Sequence, residues 1–229
     1  MVARRHLCSC QTVMLLGCLP VCRTVSTVAL QVLAGAPPLD LVARQLAIRY
    51  RVKHSHPLEE GNWLFGLDVA NLDRKQMKAM LDERMCCEWQ RRWDDDEHGR
   101  PTHEFIPDAC FVFSRKDFGF GLHAGFLLTG HGSLNAFLYE RSLSRTPTCQ
   151  CGALWEDWQH VLASCPLYTD LQDLDGLGVR REDTRWDFSR VLDTPEQLQM
   201  LELFAQAAFK RRRRMTQDQP VPGRTGQNW

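Results

Sequence analysis

The chain reads as a series of helical periodicities punctuated by glycine and proline. In "CRTVSTVALQVLAGAPPLDL", Cys22 to Leu41, the residues Val25, Val28, Ala29, Val32 and Leu33 recur at three- and four-residue intervals. This spacing predicts a helix capped by Ser26 or Thr24 and stopped by Gly35, Pro37 and Pro38. Asp40 is placed to cap a second helix, with Leu41, Ala43, Leu46, Ala47 and Tyr50 as its expected apolar face. Arg44, Arg49, Arg51 and Lys53 fall on its other side, which reads as a solvated face or, more specifically, a phosphate-facing one. Residues 54–72, broken by Pro57 and Gly61, read as a connector. A long helix is predicted from Asp73 to Trp93, its stripe formed by Met77, Met80, Leu81, Met85, Trp89 and Trp93.

"DDDEHGR" at 94–100 ends that helix, and its neighbouring aspartates point in different directions, so no metal is placed there. Phe118-Gly119-Phe120-Gly121 predicts a turn, and Leu122 to Leu128 an apolar helix or strand. "TGHGS" then opens a short helix through Leu134, Phe137 and Leu138. Gly130 and Gly132 admit backbone angles closed to other residues. The loop reads as a tight turn with Ser133 as N-cap, or as a cradle of N–H groups for phosphate. The last helix carries the clearest start signal. Thr194-Pro195-Glu196-Gln197 is a capping box with proline in the first turn, and Leu198, Leu201, Phe204, Ala205 and Ala208 form the stripe behind it. Beyond Pro220 the tail is expected to be disordered.

Charge changes the picture more than composition does. The 28 basic and 28 acidic residues cancel over the 229-residue chain, but unevenly. Seven Lys/Arg and one Asp give residues 1–57 a charge of +6, nine acids and four Arg give 149–193 a charge of −5, and six basics and one Asp give 210–229 a charge of +5. Basic ends around an acidic middle admit a polyanionic partner. The run Lys210, Arg211, Arg212, Arg213 and Arg214 exceeds what a helix C-terminus needs and is the candidate nucleic-acid contact. The N-terminus has Arg4 and Arg5 ahead of an apolar run from Val13 to Val21, the order of a secretory signal. Gly17 and Pro20 interrupt that run, and no stretch approaches the roughly 20 apolar residues of a membrane span, so no membrane is expected.

The chemistry concentrates in "CQCGALWEDWQHVLASCP", residues 149–166. Cys149, Cys151, His160 and Cys165 supply three thiolates and an imidazole, a complete tetrahedral shell for zinc. A closed shell leaves no coordinated water, so the zinc would be structural. Gly152 suits a sharp turn, Pro166 disfavours helix at Cys165, and Glu156 or Asp157 is placed to support a ligand. Trp155 and Trp158 either pack or stack on a base.

These residues carry a family likeness. "CRTVSTVALQVLAGAPPLDL", "WQRRWDDDEHGRPTHEFIPD" from Trp89, "LLTGHGSLNAFLYER" from Leu127 and "CQCGALWEDWQHVLASCPLYTDL" from Cys149 follow one another over most of residues 20–175. In that order they resemble the C-terminal part of the Pol polyprotein of insect type-1, non-LTR retrotransposable elements, which carry a CCHC knuckle after their polymerase. The resemblance implies a fragment of a reverse transcriptase/endonuclease used in target-primed reverse transcription. Its expected partners are element RNA, target ribosomal DNA and the rest of the polyprotein. It would work in the nucleus, after cytoplasmic ribonucleoprotein assembly. It also makes the N-terminal apolar run the interior of a longer chain.

The implied fold class is mainly α: a helical linker region followed by a small CCHC zinc knuckle and a C-terminal helix. The expected divisions are a post-polymerase helical region (1–57), a helical linker region (58–140), the knuckle (141–175), and a C-terminal helix with basic tail (176–229). No catalytic residue is assigned. A polymerase holds two Mg²⁺ ions on paired aspartates of a tight hairpin, and Asp94–Asp96 lie in the wrong setting for that. Magnesium belongs to the parent polymerase; zinc is the cofactor expected here. The competing reading is a degenerate or domesticated knuckle protein that mediates protein contacts without polymerase activity.

Overall fold

The computed structural model describes residues 2–65, 73–115 and 117–217. The expected tail beyond Pro220 and the end of the 54–72 connector lie outside them. The chain divides into two units, Met1–Gly119 and Phe120–Trp229, with the division inside the span expected to be the 58–140 linker. Secondary structure is mainly helical, as the periodicities require.

In the first unit, α1 (Val2–Cys18) packs on α2 (Thr27–Leu33) and α3 (Leu39–Lys53), α3 packs on α4 (Arg74–Asp95), and α2 on α5 (Arg100–Phe105). Ser26 caps α2, its side chain accepting from the Ala29 N–H. Asp73 and Gln76 form a reciprocal capping box on α4. The α4 stripe buries Met77, Leu81, Met85, Trp89 and Trp93, and the Trp93 indole donates to the Ile106 carbonyl at 2.9 Å. A buried glutamine joins three elements. Gln11 donates to the Pro37 carbonyl at 2.9 Å and accepts from Gln31 at 2.8 Å and from the Leu39 N–H at 3.1 Å.

Helix α3 departs from its expected face. Leu41, Gln45 and Ile48 are its buried positions, whereas Leu46 and Tyr50 are exposed. The inward Gln45 is satisfied by the Asp82 carboxylate at 2.6 Å, so a polar residue occupies the turn where an apolar one is expected. Asp40 does not cap α3, which follows Pro38 with no side-chain cap; instead Asp40 pairs with Arg92 at 2.8 and 3.1 Å.

In the second unit, Leu122–Thr129 is helix α6, and it packs on the long α8 (Pro195–Gln217). Leu198, Leu201, Phe204, Ala205 and Ala208 of α8 are buried, as its stripe predicts. The Thr194–Gln197 capping box is formed in both directions, at 3.0 and 3.2 Å. Gly121 precedes α6 and has no side chain to cap it; Glu202 of α8 takes that role, accepting from the Ala124 N–H at 2.7 Å. The short α7 (Asn135–Glu140) follows. One feature was not expected from sequence: β1 (Arg180–Glu182) and β2 (Arg185–Asp187) pair antiparallel as a hairpin. Among the described residues no helix is long and apolar enough to cross a membrane.

Candidate metal centre

Two short backbone features gather the four candidate ligand side chains. The first is the turn at Cys149–Ala153, closed by N–H bonds from Gly152 to the Cys149 carbonyl and from Cys149 to the Ala153 carbonyl, at 3.0 and 2.9 Å. Gly152 sits at φ +94°, so glycine is required there by backbone conformation and not by lack of space. The second is a π-helical turn, His160–Ser164. On an α-helix, residues five apart are rotated by about 140° and face apart. Here the Cys165 N–H reaches the His160 carbonyl at 2.7 Å, the five-residue bond of a π turn, and Cys165 itself is extended ahead of Pro166. Imidazole and thiol are thereby brought to one side. Asp157 fixes the entry to this turn by accepting from the His160 N–H at 2.8 Å.

One ligand atom from each of Cys149, Cys151, His160 and Cys165 falls within 4.8 Å of the others. The Cys149 and Cys165 sulfurs are 3.7 Å apart, and Cys151 Sγ lies 3.2 Å from His160 Nε2. A tetrahedron with metal–sulfur bonds of about 2.3 Å has sulfur–sulfur edges of about 3.8 Å. The cluster is therefore compatible with zinc in both donor type and spacing. Burial pushes the Cys149 and Cys165 thiols up. Cys151 is held below the ordinary thiol value: burial opposes its thiolate, but hydrogen bonds from the Ala153 backbone and the neighbouring thiols outweigh it. Three crowded sulfurs resist full ionisation unless a cation joins them.

Beneath the cluster lies a buried ion pair. Glu156 is held by Arg212 of α8 through Nε at 3.0 Å and a terminal nitrogen at 2.8 Å. Glu156 also accepts from the Asn135 N–H at 2.8 Å, and the Cys149 thiol lies 3.9 Å from its other oxygen. Asn135 returns two bonds, accepting from Arg212 at 2.7 Å and donating to the Thr148 carbonyl at 2.7 Å. The start of α7, the Cys149 turn and α8 thus meet at one carboxylate. Ser133 is not the cap of α7: Leu134 holds that position and Glu156 supplies the acceptor. The alternative reading of "TGHGS" as a phosphate cradle gains no support from this. Gly130, at φ +68°, ends α6, and His131 donates back to the Thr129 carbonyl at 2.7 Å.

The five-residue basic run divides. Arg212 is turned inward, and Arg211 binds Asp170 at 2.5 and 2.6 Å and the Leu167 carbonyl at 2.7 Å. Lys210, Arg213 and Arg214 remain exposed. Of the two tryptophans, Trp158 is buried edge-on against Phe188, whereas Trp155 is exposed and meets the Tyr139 edge. The hairpin braces the π turn, its Trp186 indole donating to the Ser164 hydroxyl at 3.2 Å. Sequence offered no sign of the roles of Arg212 and Asn135, whose partner Glu156 stands 56 and 21 positions away.

No protein-family model matches the chain, and no solved structure does. Curated proteins do. The chain is 57% identical over 212 residues to a 115 kDa protein in type-1 retrotransposable element R1DM of Drosophila melanogaster, covering 92% of this chain and 21% of that protein. It is 43% identical over 206 residues to the retrovirus-related Pol polyprotein from type-1 retrotransposable element R1 of Bradysia coprophila, covering 90% and 20%. It is 39% identical over 213 residues to the corresponding polyprotein of element R1 3 of Nasonia vitripennis, covering 93% and 55%. The chain spans about a fifth of the length of the first two relatives and about half of the third.

Proposed function

We propose that this chain, a homologue of a segment of the Pol polyproteins of R1 type-1 retrotransposable elements, is a zinc-organised module that positions nucleic acid for target-primed reverse transcription. The observation that carries the reading is the convergence of Cys149, Cys151, His160 and Cys165 within 4.8 Å. Zinc bound there would fix the Cys149 turn against the π turn and supply fold rather than catalysis, since the protein fills all four positions. Glu156 and Arg212 then couple the metal site to α8, whose exposed Lys210, Arg213 and Arg214 offer charge to a phosphate backbone. Exposed Trp155 offers a stacking face. In this reading the partners are element RNA and target ribosomal DNA, the setting is the nucleus, and polymerase and nuclease chemistry, with its Mg²⁺, belongs to other parts of a polyprotein.

The test compares the protein with a Cys149→Ser/Cys151→Ser variant for zinc content and for RNA and DNA affinity. One zinc per chain and affinity that falls with zinc loss support the reading. Zinc retention without salt-dependent nucleic-acid affinity favours a knuckle that contacts protein, a reading motivated by the net charge of −5 over residues 149–193.

A further inference from the structure

The first unit carries a surface that the metal site does not explain. Tyr50, 59% exposed near the end of α3, stands between two hollows. One, of about 560 Å³, is lined by Arg49, Lys53, Arg74 and Asp73 among others. The other, of about 380 Å³, is lined by Arg51, His56 and Pro57 beside Tyr50.

The backbone builds this arrangement. Helix α3 ends with the His56 N–H on the Arg51 carbonyl and the Ser55 N–H on the Val52 carbonyl, at 2.9 and 3.2 Å. That is a Schellman turn, and it places Ser55 at φ +55°, a conformation costly for a residue with a side chain. The turn folds the chain back so that His54 and His56 lie over Tyr50, with ring centroids 4.5 and 6.0 Å away. The His56 ring is stacked on the phenol at 27°. The three rings lie on exposed residues, where burial of apolar surface in the core does not account for them.

The cations are disposed to match. Arg51 is held by Glu59 and the Pro57 carbonyl, and Arg44 lies over Trp63, so both serve the local fold. Among the described residues no carboxylate pairs with Arg49, Lys53 or Arg74. The acid in the same hollow, Asp73, accepts from the Lys75 and Gln76 N–H groups as the cap of α4. Three cations that pair with no described carboxylate, outnumbering the one acid of their hollow and standing beside an exposed aromatic ladder, fit a flexible chain that carries phosphates and flat rings in alternation. A duplex hides its base faces, and an acidic peptide gives Tyr50 nothing to stack.

We infer that Tyr50, His56, Arg49, Lys53 and Arg74 form a binding surface for single-stranded nucleic acid, with a base on the Tyr50 ring and phosphates on the three cations. The surface needs no metal and lies in the unit that lacks the cysteine cluster.

The test is fluorescence anisotropy on the full, zinc-loaded chain with a labelled single-stranded RNA of mixed sequence. Tyr50→Ala should weaken binding at least about fivefold. Arg49→Gln/Lys53→Gln/Arg74→Gln should reduce the slope of log affinity against log salt by about 2. These residues are exposed or border an open hollow, so melting temperature and zinc content should stay as in the parent; that separates a failure here from a failure at the metal centre. RNA carrying 4-thiouridine should crosslink under ultraviolet light within residues 50–56. Unchanged affinity in either variant overturns the inference. So does duplex binding that equals single-strand binding, or polyglutamate that competes as well as RNA at equal charge.

Discussion

Arg212 lays its guanidinium along both oxygens of Glu156 at 2.8–3.0 Å, with the side chains only 8% and 2% exposed. A residue that reads as surface charge is thereby a structural strut beside the Cys149–Cys165 cluster. Removing one partner of a buried pair leaves the other charge uncompensated, at a cost of about 3–5 kcal/mol. Arg212→Ala is expected to lose that much in urea unfolding of the zinc-loaded protein. Arg212→Met with Glu156→Gln should recover most of it, because glutamine stays neutral and still accepts from the Asn135 N–H.

The rest of the basic run should behave oppositely. Lys210→Ala/Arg213→Ala/Arg214→Ala removes exposed charges, and each substitution should change stability by no more than about 0.5 kcal/mol. If the run meets a single-stranded phosphate backbone, the slope of log affinity against log salt should drop by about 2. A titration at several salt concentrations reads this directly.

Zinc affinity should rise with pH. Burial holds Cys149 and Cys165 above the ordinary thiol range, so both carry protons in the metal-free protein at neutral pH. Zinc must displace them, and each displaced proton makes apparent affinity about tenfold stronger per pH unit until its thiol ionises. Competition with a chromophoric chelator over pH 6–8 measures this. Acidification should release the metal.

The first unit offers an independent check on packing. Leu81 is fully buried in a cluster with Ile48, Leu64 and Met77. Leu81→Ala should cost about 2–5 kcal/mol. The folded fraction should keep any zinc bound at the Cys149–Cys165 cluster, because all four candidate ligands lie in the other unit.

Local signals were legible in the sequence, and distant ones were not. The α4 stripe and the Thr194–Gln197 box depend on residues within one or two turns, and spacing alone identifies them; for the α2 cap spacing narrows the choice to Ser26 or Thr24, and Ser26 holds it. The four cysteine and histidine side chains that converge are equally local, within 17 residues. The α3 face is not, because inward Gln45 depends on Asp82, 37 positions on. Nor is the cap of α7, where the acceptor comes from Glu156 instead of Ser133. The hairpin at 180–187 escapes because "RRE" and "RWD" are short and charged, with no alternation to mark a strand. The division of "KRRRR" escapes for the same reason as α3: the acids that claim Arg211 and Arg212 sit 41 and 56 residues away.

Cobalt substitution tests the metal centre most directly. Loading the metal-free protein with Co²⁺ should give one equivalent per chain, with the visible bands of a tetrahedral site and sulfur-to-metal charge transfer, and Cys149→Ser/Cys151→Ser should abolish both. A six-coordinate spectrum without thiolate bands, or the same spectrum in the variant, would contradict a shared cation at Cys149, Cys151, His160 and Cys165.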